Sequence, residues 1–235
     1  MERTNAYSLL DFLDNSPCNF FATATIQRYL DDNGFQELKQ SERWNLEKGG
    51  KYYVKKNDTA IFGFVIGETP LDQSGFNMIS AHSDSPCFRI KPNPEMLADG
   101  VLKLNTEVYG GPILYTWFDR PLSLAGRVIV RNPQNPARPI TKLIDFASPV
   151  LIIPHLAIHF NRNVNAGNPL SKQKDMLPIA AIVSDSMSKN NFLIDQIKER
   201  LEIADSKDIL DFDLMLYNCQ KSQLVGFNKE FICSG

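Results

Sequence analysis

The hydrophobic rhythm of this chain changes at Pro92-Asn93-Pro94, and the change limits the folds open to it more than any other feature. Upstream, Ala6, Leu9, Leu10 and Leu13 recur at helical spacing, as do Ala22, Ile26, Tyr29 and Leu30 before the stop signal Asn33-Gly34. Two opening helices are predicted. Lys51-Tyr52-Tyr53-Val54 and Ala60 to Ile66, separated by Asn57-Asp58, read as a strand, a turn and a nearly continuous apolar strand. Such a strand is expected to be buried on both faces, as in an α/β sheet. Phe76 to Ser80 reads as one more strand. Downstream the pattern is period two, with Leu102, Leu104, Thr106 and Val108 facing one way and Lys103, Asn105 and Glu107 the other. Leu122 to Arg131 repeats the alternation before the turn Asn132-Pro133-Gln134-Asn135-Pro136. Val150 to Ile153 and Phe212 to Leu216 add strands, and Leu193, Ile194, Ile197 and Leu201 mark a helix between them. An α/β domain followed by a strand-rich one is therefore expected, with the boundary between Lys91 and Pro94.

A chain of 235 residues can bury a sizeable core, and 43% hydrophobic residues with 22% charged residues suit a globular protein. The formal net charge of −2 lacks the basic excess of a nucleic-acid binder. No nucleic-acid partner is expected. No apolar run approaches membrane-spanning length, and the N-terminus lacks the apolar core of a signal peptide, so no membrane role is expected either. Cys18, Cys87, Cys219 and Cys233 are widely spaced without a C-x-x-C pair, which argues against a disulfide framework or a thiolate zinc site. A reducing cytoplasm is the expected compartment.

The polar run Ala81-His82-Ser83-Asp84-Ser85 directly follows the apolar Met78-Ile79. In an α/β sheet, the space beyond a strand end is where ligand sites gather. An imidazole there can bind a metal while a carboxylate two positions on orients it. A solvated turn in which Asp84 or Ser85 caps the backbone accounts for the same residues, and spacing alone leaves both readings open. His155 and His159 are four apart, so in a helix they would share a face. Pro154 makes a strand or loop equally compatible, and no glutamate accompanies the pair as in metalloprotease helices. Tyr109-Gly110-Gly111 and Trp117-Phe118-Asp119-Arg120 read as a glycine turn with aromatic packing, without phosphate-cradling spacing. Cys87 and Cys233 read as small hydrophobes.

Three blocks together carry a resemblance: Ala81 to Lys91, Tyr109-Gly110-Gly111 with Trp117 to Val128, and Ile153-Pro154-His155-Leu156-Ala157-Ile158-His159. In order and spacing they resemble the aspartyl aminopeptidase family of di-zinc metallopeptidases. Weaker similarity runs through Leu10 to Leu13, Gly34-Phe35 and Gly49 to Tyr53, and on to Glu230-Phe231-Ile232. Ser16-Pro17-Cys18-Asn19-Phe20 departs from the family's usual Ser-Pro-x-Pro-Phe, a change that touches packing alone.

The resemblance implies an incomplete, mixed-sheet α/β catalytic domain over residues 1–93, an inserted strand-rich dimerisation domain over 94–227, and a return to the first domain over 228–235. It implies that His82 binds one of two zinc ions, with Mn or Co as alternatives for such a site. Asp84 would fix the His82 ring. His159, preferred to His155 on alignment of the block, would reach the active site of a neighbouring subunit and contact the peptide substrate. Dimers would assemble into a larger homo-oligomer. The implied activity is removal of N-terminal Asp or Glu from peptides. The remaining ligands and the glutamate base belong to the family's C-terminal half, and Asp185, Asp195, Asp205 and Glu230 sit in no ligand motif. The chain is thus expected to be an N-terminal portion, inactive alone. Its rival is a non-catalytic oligomerisation subunit derived from a truncated aminopeptidase, in which His82 is a relic.

Overall fold

A computed structural model of the chain describes residues 4–184 and 190–234, so Asp185 and Gly235 lie outside the described residues. Within it the chain separates into two compact units, residues 1–85 and 86–235.

The first unit opens with α1 (Thr4–Asp14) and α2 (Asn19–Asp32). Asn33 closes α2, and Gly34 follows with φ of 79°, the left-handed conformation that the Asn33-Gly34 signal foretold. The buried face of α2 carries Phe20, Ala22, Thr23 and Thr25, whereas Tyr29, grouped by period with the apolar face, is exposed. Thr25 donates from Oγ1 to the Asn15 carbonyl at 3.0 Å, tying α2 to the end of α1. Behind the helices lies a three-stranded sheet of β1 (Gln36–Glu37), β2 (Lys51–Lys56) and β3 (Ala60–Val65). β1 pairs parallel to β2 and β3 pairs antiparallel, which makes the sheet mixed. Asn57 and Asp58 have φ of 53° and 55°, and Thr59 N–H closes on the Lys56 carbonyl at 3.1 Å, the geometry of a tight hairpin turn.

Two expectations fail here. β3 is an edge strand, with Phe62 and Val65 exposed, because among the described residues its sole sheet neighbour is β2. Phe76 to Ser80 form no strand: Phe76, Met78 and Ile79 are exposed, and among the described residues no strand pairs with them. A strand needs a hydrogen-bonding neighbour, and an apolar run does not supply one. A short helix, α3 (Leu71–Ser74), separates β3 from this segment.

The second unit is built on a six-stranded antiparallel sheet. Its strands are β4 (Cys87–Ala98), β5 (Val101–Tyr109), β6 (Leu122–Val130), β7 (Ile140–Asp145), β8 (Ile179–Ile182) and β9 (Ile209–Asn218). Their order across the sheet is β7-β6-β9-β4-β5-β8. A hairpin of β10 (Gln223–Val225) and β11 (Phe231–Cys233) stands apart from that sheet. The period-two readings hold, since Leu102, Leu104 and Thr106 are buried along β5, and Leu122, Leu124, Val128 and Val130 along β6. Helix α4 (Phe192–Arg200) adds Leu193 and Ile197 to a core that contains Phe88, Leu104, Ile144, Leu214 and Leu216. Full burial of side chains this size is worth about 1.5–3 kcal/mol each. Val150 to Ile153, read as a strand, makes isolated bridges instead: Leu151 to Leu122, Ile152 to Ile179 and Ile153 to Phe118.

Pro92-Asn93-Pro94 lies inside β4, and the two compact units divide at Ser85/Pro86. The register passes from Ile90 opposite Thr106 to Glu95 opposite Leu104, so the prolines occupy a bulge where no ladder N–H is required.

Candidate functional site

His82 follows Phe76–Ala81 in a stretch without regular structure and ends in a loop that its neighbours hold. Ser83 donates from Oγ to the Thr59 carbonyl at 2.7 Å, which fastens the loop to the β2–β3 turn. The ring Nδ1 of His82 lies 2.7 Å from the Asp84 carbonyl oxygen and 3.2 Å from the Asp84 carboxylate. A carbonyl oxygen accepts and never donates, so Nδ1 carries the proton and the Nε2 lone pair is left for another partner. The His82 side chain is 81% exposed, against 39% for Asp84. An oriented, solvent-facing imidazole with a carboxylate at its back is the form in which histidine meets a metal. The donor set fits one zinc ligand and stops there: among the described residues no three His, Cys, Asp or Glu side chains converge on one point.

The other two histidines separate. Residues 154–157 have no regular structure and 158–160 form a turn, so His155 and His159 share no helical face. His159 is exposed on that turn between Ile158 and Phe160, themselves exposed. His155 is half-buried. Its backbone N–H donates to Asp119 Oδ1 at 3.0 Å, and its Nδ1–H donates to the Leu156 carbonyl at 2.9 Å. The ring meets Phe118 edge to face, with centroids 4.6 Å apart. The aromatic block is a packing cluster as read, with Trp117 set edge-on against Phe88 at 4.9 Å. Asp119, at φ of 55°, turns its carboxylate back to hold the Pro154-His155 segment.

The acidic residues outside any ligand motif have structural work. Asp195 lies in the first turn of α4, where a negative charge faces the helix N-terminus. Asp205 accepts from Lys207 N–H at 2.9 Å, and Glu230 accepts from Asn228 Nδ2 at 2.9 Å. No disulfide joins the cysteines, and burial raises the Cys219 thiol pKa, so it stays protonated. What sequence reasoning missed is a cavity of about 350 Å³ in the second unit, bordered by Lys103, Phe118, His155, Asn161, Lys174 and Leu177 among others. Its members come from four separate stretches, and no local spacing announces them. Among the described residues no helix is long and apolar enough to cross a membrane.

Comparison with known proteins agrees with the fold over nearly the whole chain. The structure of mApe1 from Chaetomium thermophilum superposes with a TM-score of 0.85 at 30% identity, over 98% of this chain and 54% of that one. A probable M18 family aminopeptidase 2 from Clostridium novyi (strain NT) is 51% identical over 98% of this chain and 53% of its own length. The protein of the same description from Clostridium acetobutylicum is 49% identical over 97% of this chain and 53% of its own. The chain therefore spans about half the length of the curated relatives it matches. With the aminopeptidase I zinc metalloprotease (M18) family model matching residues 12–235, the chain, mixed α/β with several sheets and few helices, belongs to the M18 family.

Proposed function

We propose that this chain is the N-terminal portion of a zinc aminopeptidase, with His82 as a metal ligand through Nε2 and Asp84 as the residue that fixes its ring. The observation that carries the reading is the His82–Asp84 geometry, in which Nδ1 is committed and Nε2 faces solvent. Zinc in such a site polarises a scissile carbonyl and acidifies a bound water. What this chain contributes is the position and tautomer of a single ligand. Two zinc ions are proposed for the complete site, with Mn or Co able to replace them.

The rest of the proposal follows the family. Residues 1–85, extended by the first part of β4 to 93, belong to the catalytic domain. Residues 94–227 form an inserted dimerisation domain, and 228–235 begin the return. His159 contacts the peptide bound at a neighbouring subunit, in a homo-oligomer assembled from dimers, and its exposure on a turn supports this. Substrates carry N-terminal Asp or Glu, and the enzyme works in the cytoplasm. One histidine and its orienting carboxylate cannot close a zinc site, so the 235-residue chain alone is inactive.

The test is hydrolysis of a chromogenic aspartyl peptide. No turnover by this chain alone, with activity in a longer product of the same reading frame that His82→Ala abolishes, is the expected result. Turnover by the 235-residue chain that His82→Ala abolishes would overturn the inactivity. A longer product whose activity ignores His82→Ala would overturn the ligand assignment.

A further inference from the structure

We infer that the second unit binds a carboxylate carried on a small apolar body, in the cavity beside His155. Its volume of about 350 Å³ falls within the span of small-molecule sites. Strand register sets the first cation in place. Leu102 and Leu104 of β5 point into the core, so Lys103 between them projects from the opposite face, beside Ile179 of β8. The second cation, Lys174, is set by a turn in which Lys174 and Asp175 N–H both reach back to the Ser171 carbonyl.

Neither ammonium group is neutralised. Among the described residues no carboxylate lies within ion-pair distance of Lys103 or Lys174. The acidic group of the lining, Asp175, instead accepts from the Ser171 N–H at 2.7 Å. Two lysines against one aspartate leave the wall with one net positive charge. Asn161 adds a donor, because its Oδ1 is taken by Asn168 Nδ2 and its own amide hydrogens are left over. His155 supplies the complementary atom. Its Nδ1–H is bound to Leu156, so Nε2 is an acceptor for an N–H on the ligand. Phe118 and Leu177 give the apolar wall.

Cations and an amide donor for a carboxylate, an acceptor for an adjacent N–H, and an apolar wall together describe an N-acylated amino acid. A peptide C-terminus and an acidic side chain both present that chemistry. Lysines without carboxylate partners are common on surfaces, but here two of them border one concavity with an oriented imidazole. The inference uses no metal, so it stands or falls independently of the aminopeptidase reading.

The test is a titration of the full 235-residue chain, without added metal, followed by amide NMR shifts. The probes are N-acetyl-leucine, its neutral amide, and N-acetyl-aspartate α-amide, whose single carboxylate is on the side chain. N-acetyl-leucine is expected to give saturable shifts centred on Lys103, His155 and Lys174, and its amide none. K103M and K174M, which keep the aliphatic stem, are each expected to weaken binding by about tenfold, the loss of a charge-assisted hydrogen bond. Binding of the aspartate probe at the same residues would extend the site to acidic side chains, and its failure would restrict the site to peptide termini. Either outcome supports the site. Raising salt on the unaltered chain should weaken binding in parallel, which covers the case of a variant that fails to fold. No saturable shift up to about 10 mM, equal binding of acid and amide, or unchanged affinity in both folded variants would overturn it.

Discussion

The hydroxyl of Tyr53 donates to Asp31 Oδ1 at 2.8 Å, joining the middle of β2 to the last turn of α2. The ring is buried at 2% exposure, so the bond forms where the helix pair rests on the sheet. Burial first, then the bond to Asp31, pushes the hydroxyl pKa up to about 12. Because the folded state holds this proton more tightly than the unfolded chain, the stabilisation is complete below the unfolded value of 10.0 and is lost as pH rises towards 12.

Tyr53→Phe is expected to cost about 1–2 kcal/mol at neutral pH, the worth of a hydrogen bond to a carboxylate. It should also flatten the fall of stability between pH 10 and 12. Urea midpoints at several alkaline pH values measure both effects.

Glu95 accepts from the backbone N–H of Leu193 at 3.0 Å, so a residue of β4 caps α4 where Asn191 offers no side-chain cap. Glu95→Ala should cost about 1 kcal/mol, with Glu95→Gln recovering much of it because the amide oxygen still accepts. Chemical unfolding followed by far-UV circular dichroism is the measurement.

Gly126 allows β6 to lie close against β9. A Cβ there would stand 2.0 Å from the Asp213 carbonyl oxygen and 3.0 Å from the Leu214 Cα, both backbone atoms that cannot step aside. Gly126→Ala should therefore destabilise by about 3 kcal/mol or more and depress Tm by roughly 6–12 °C in thermal melts. A variant as stable as the parent would show that the strands part without loss.

On the proposal that His82 is a zinc ligand, Asp84→Asn in a longer product of the same reading frame should reduce zinc affinity about 10- to 100-fold, the usual cost of losing a carboxylate behind a histidine ligand. The backbone carbonyl at 2.7 Å remains, so the ring should stay close to its place. Competition with a chromogenic chelator reads the affinity directly.

Much of this arrangement is legible in the sequence, and what is not has a physical reason. The alternation in β5 and β6 is local, so Leu104 and Val128 could be placed in the core from spacing alone. Phe76 to Ser80 looked like a strand because apolar residues favour strands, yet pairing is a property of two segments and no partner for it lies among the described residues. The prolines near residue 93 sit in a bulge of β4, which the sequence does not distinguish from a linker because the two share the same composition. His82 and Asp84 are two residues apart and could be paired on paper, whereas the anchor from Ser83 to Thr59 spans 24 residues and could not. The Lys103–His155–Lys174 wall is more distant still, since it needs a strand register, an aromatic contact and a turn to bring it together.

The place of β9 in the larger sheet sets an order of events during synthesis. β4 with β5, and β6 with β7, are hairpins that can zip as soon as each emerges from the ribosome. β9 lies between those two hairpins, so the sheet stays in two pieces until Asn218 has been made. Closing it late, over long sequence separations, makes folding of this unit slow and leaves its apolar faces exposed to chaperones meanwhile. Ribosome-stalled chains ending before Ile209 should be protease-sensitive in the second unit, and chains extending well past Asn218 should resist.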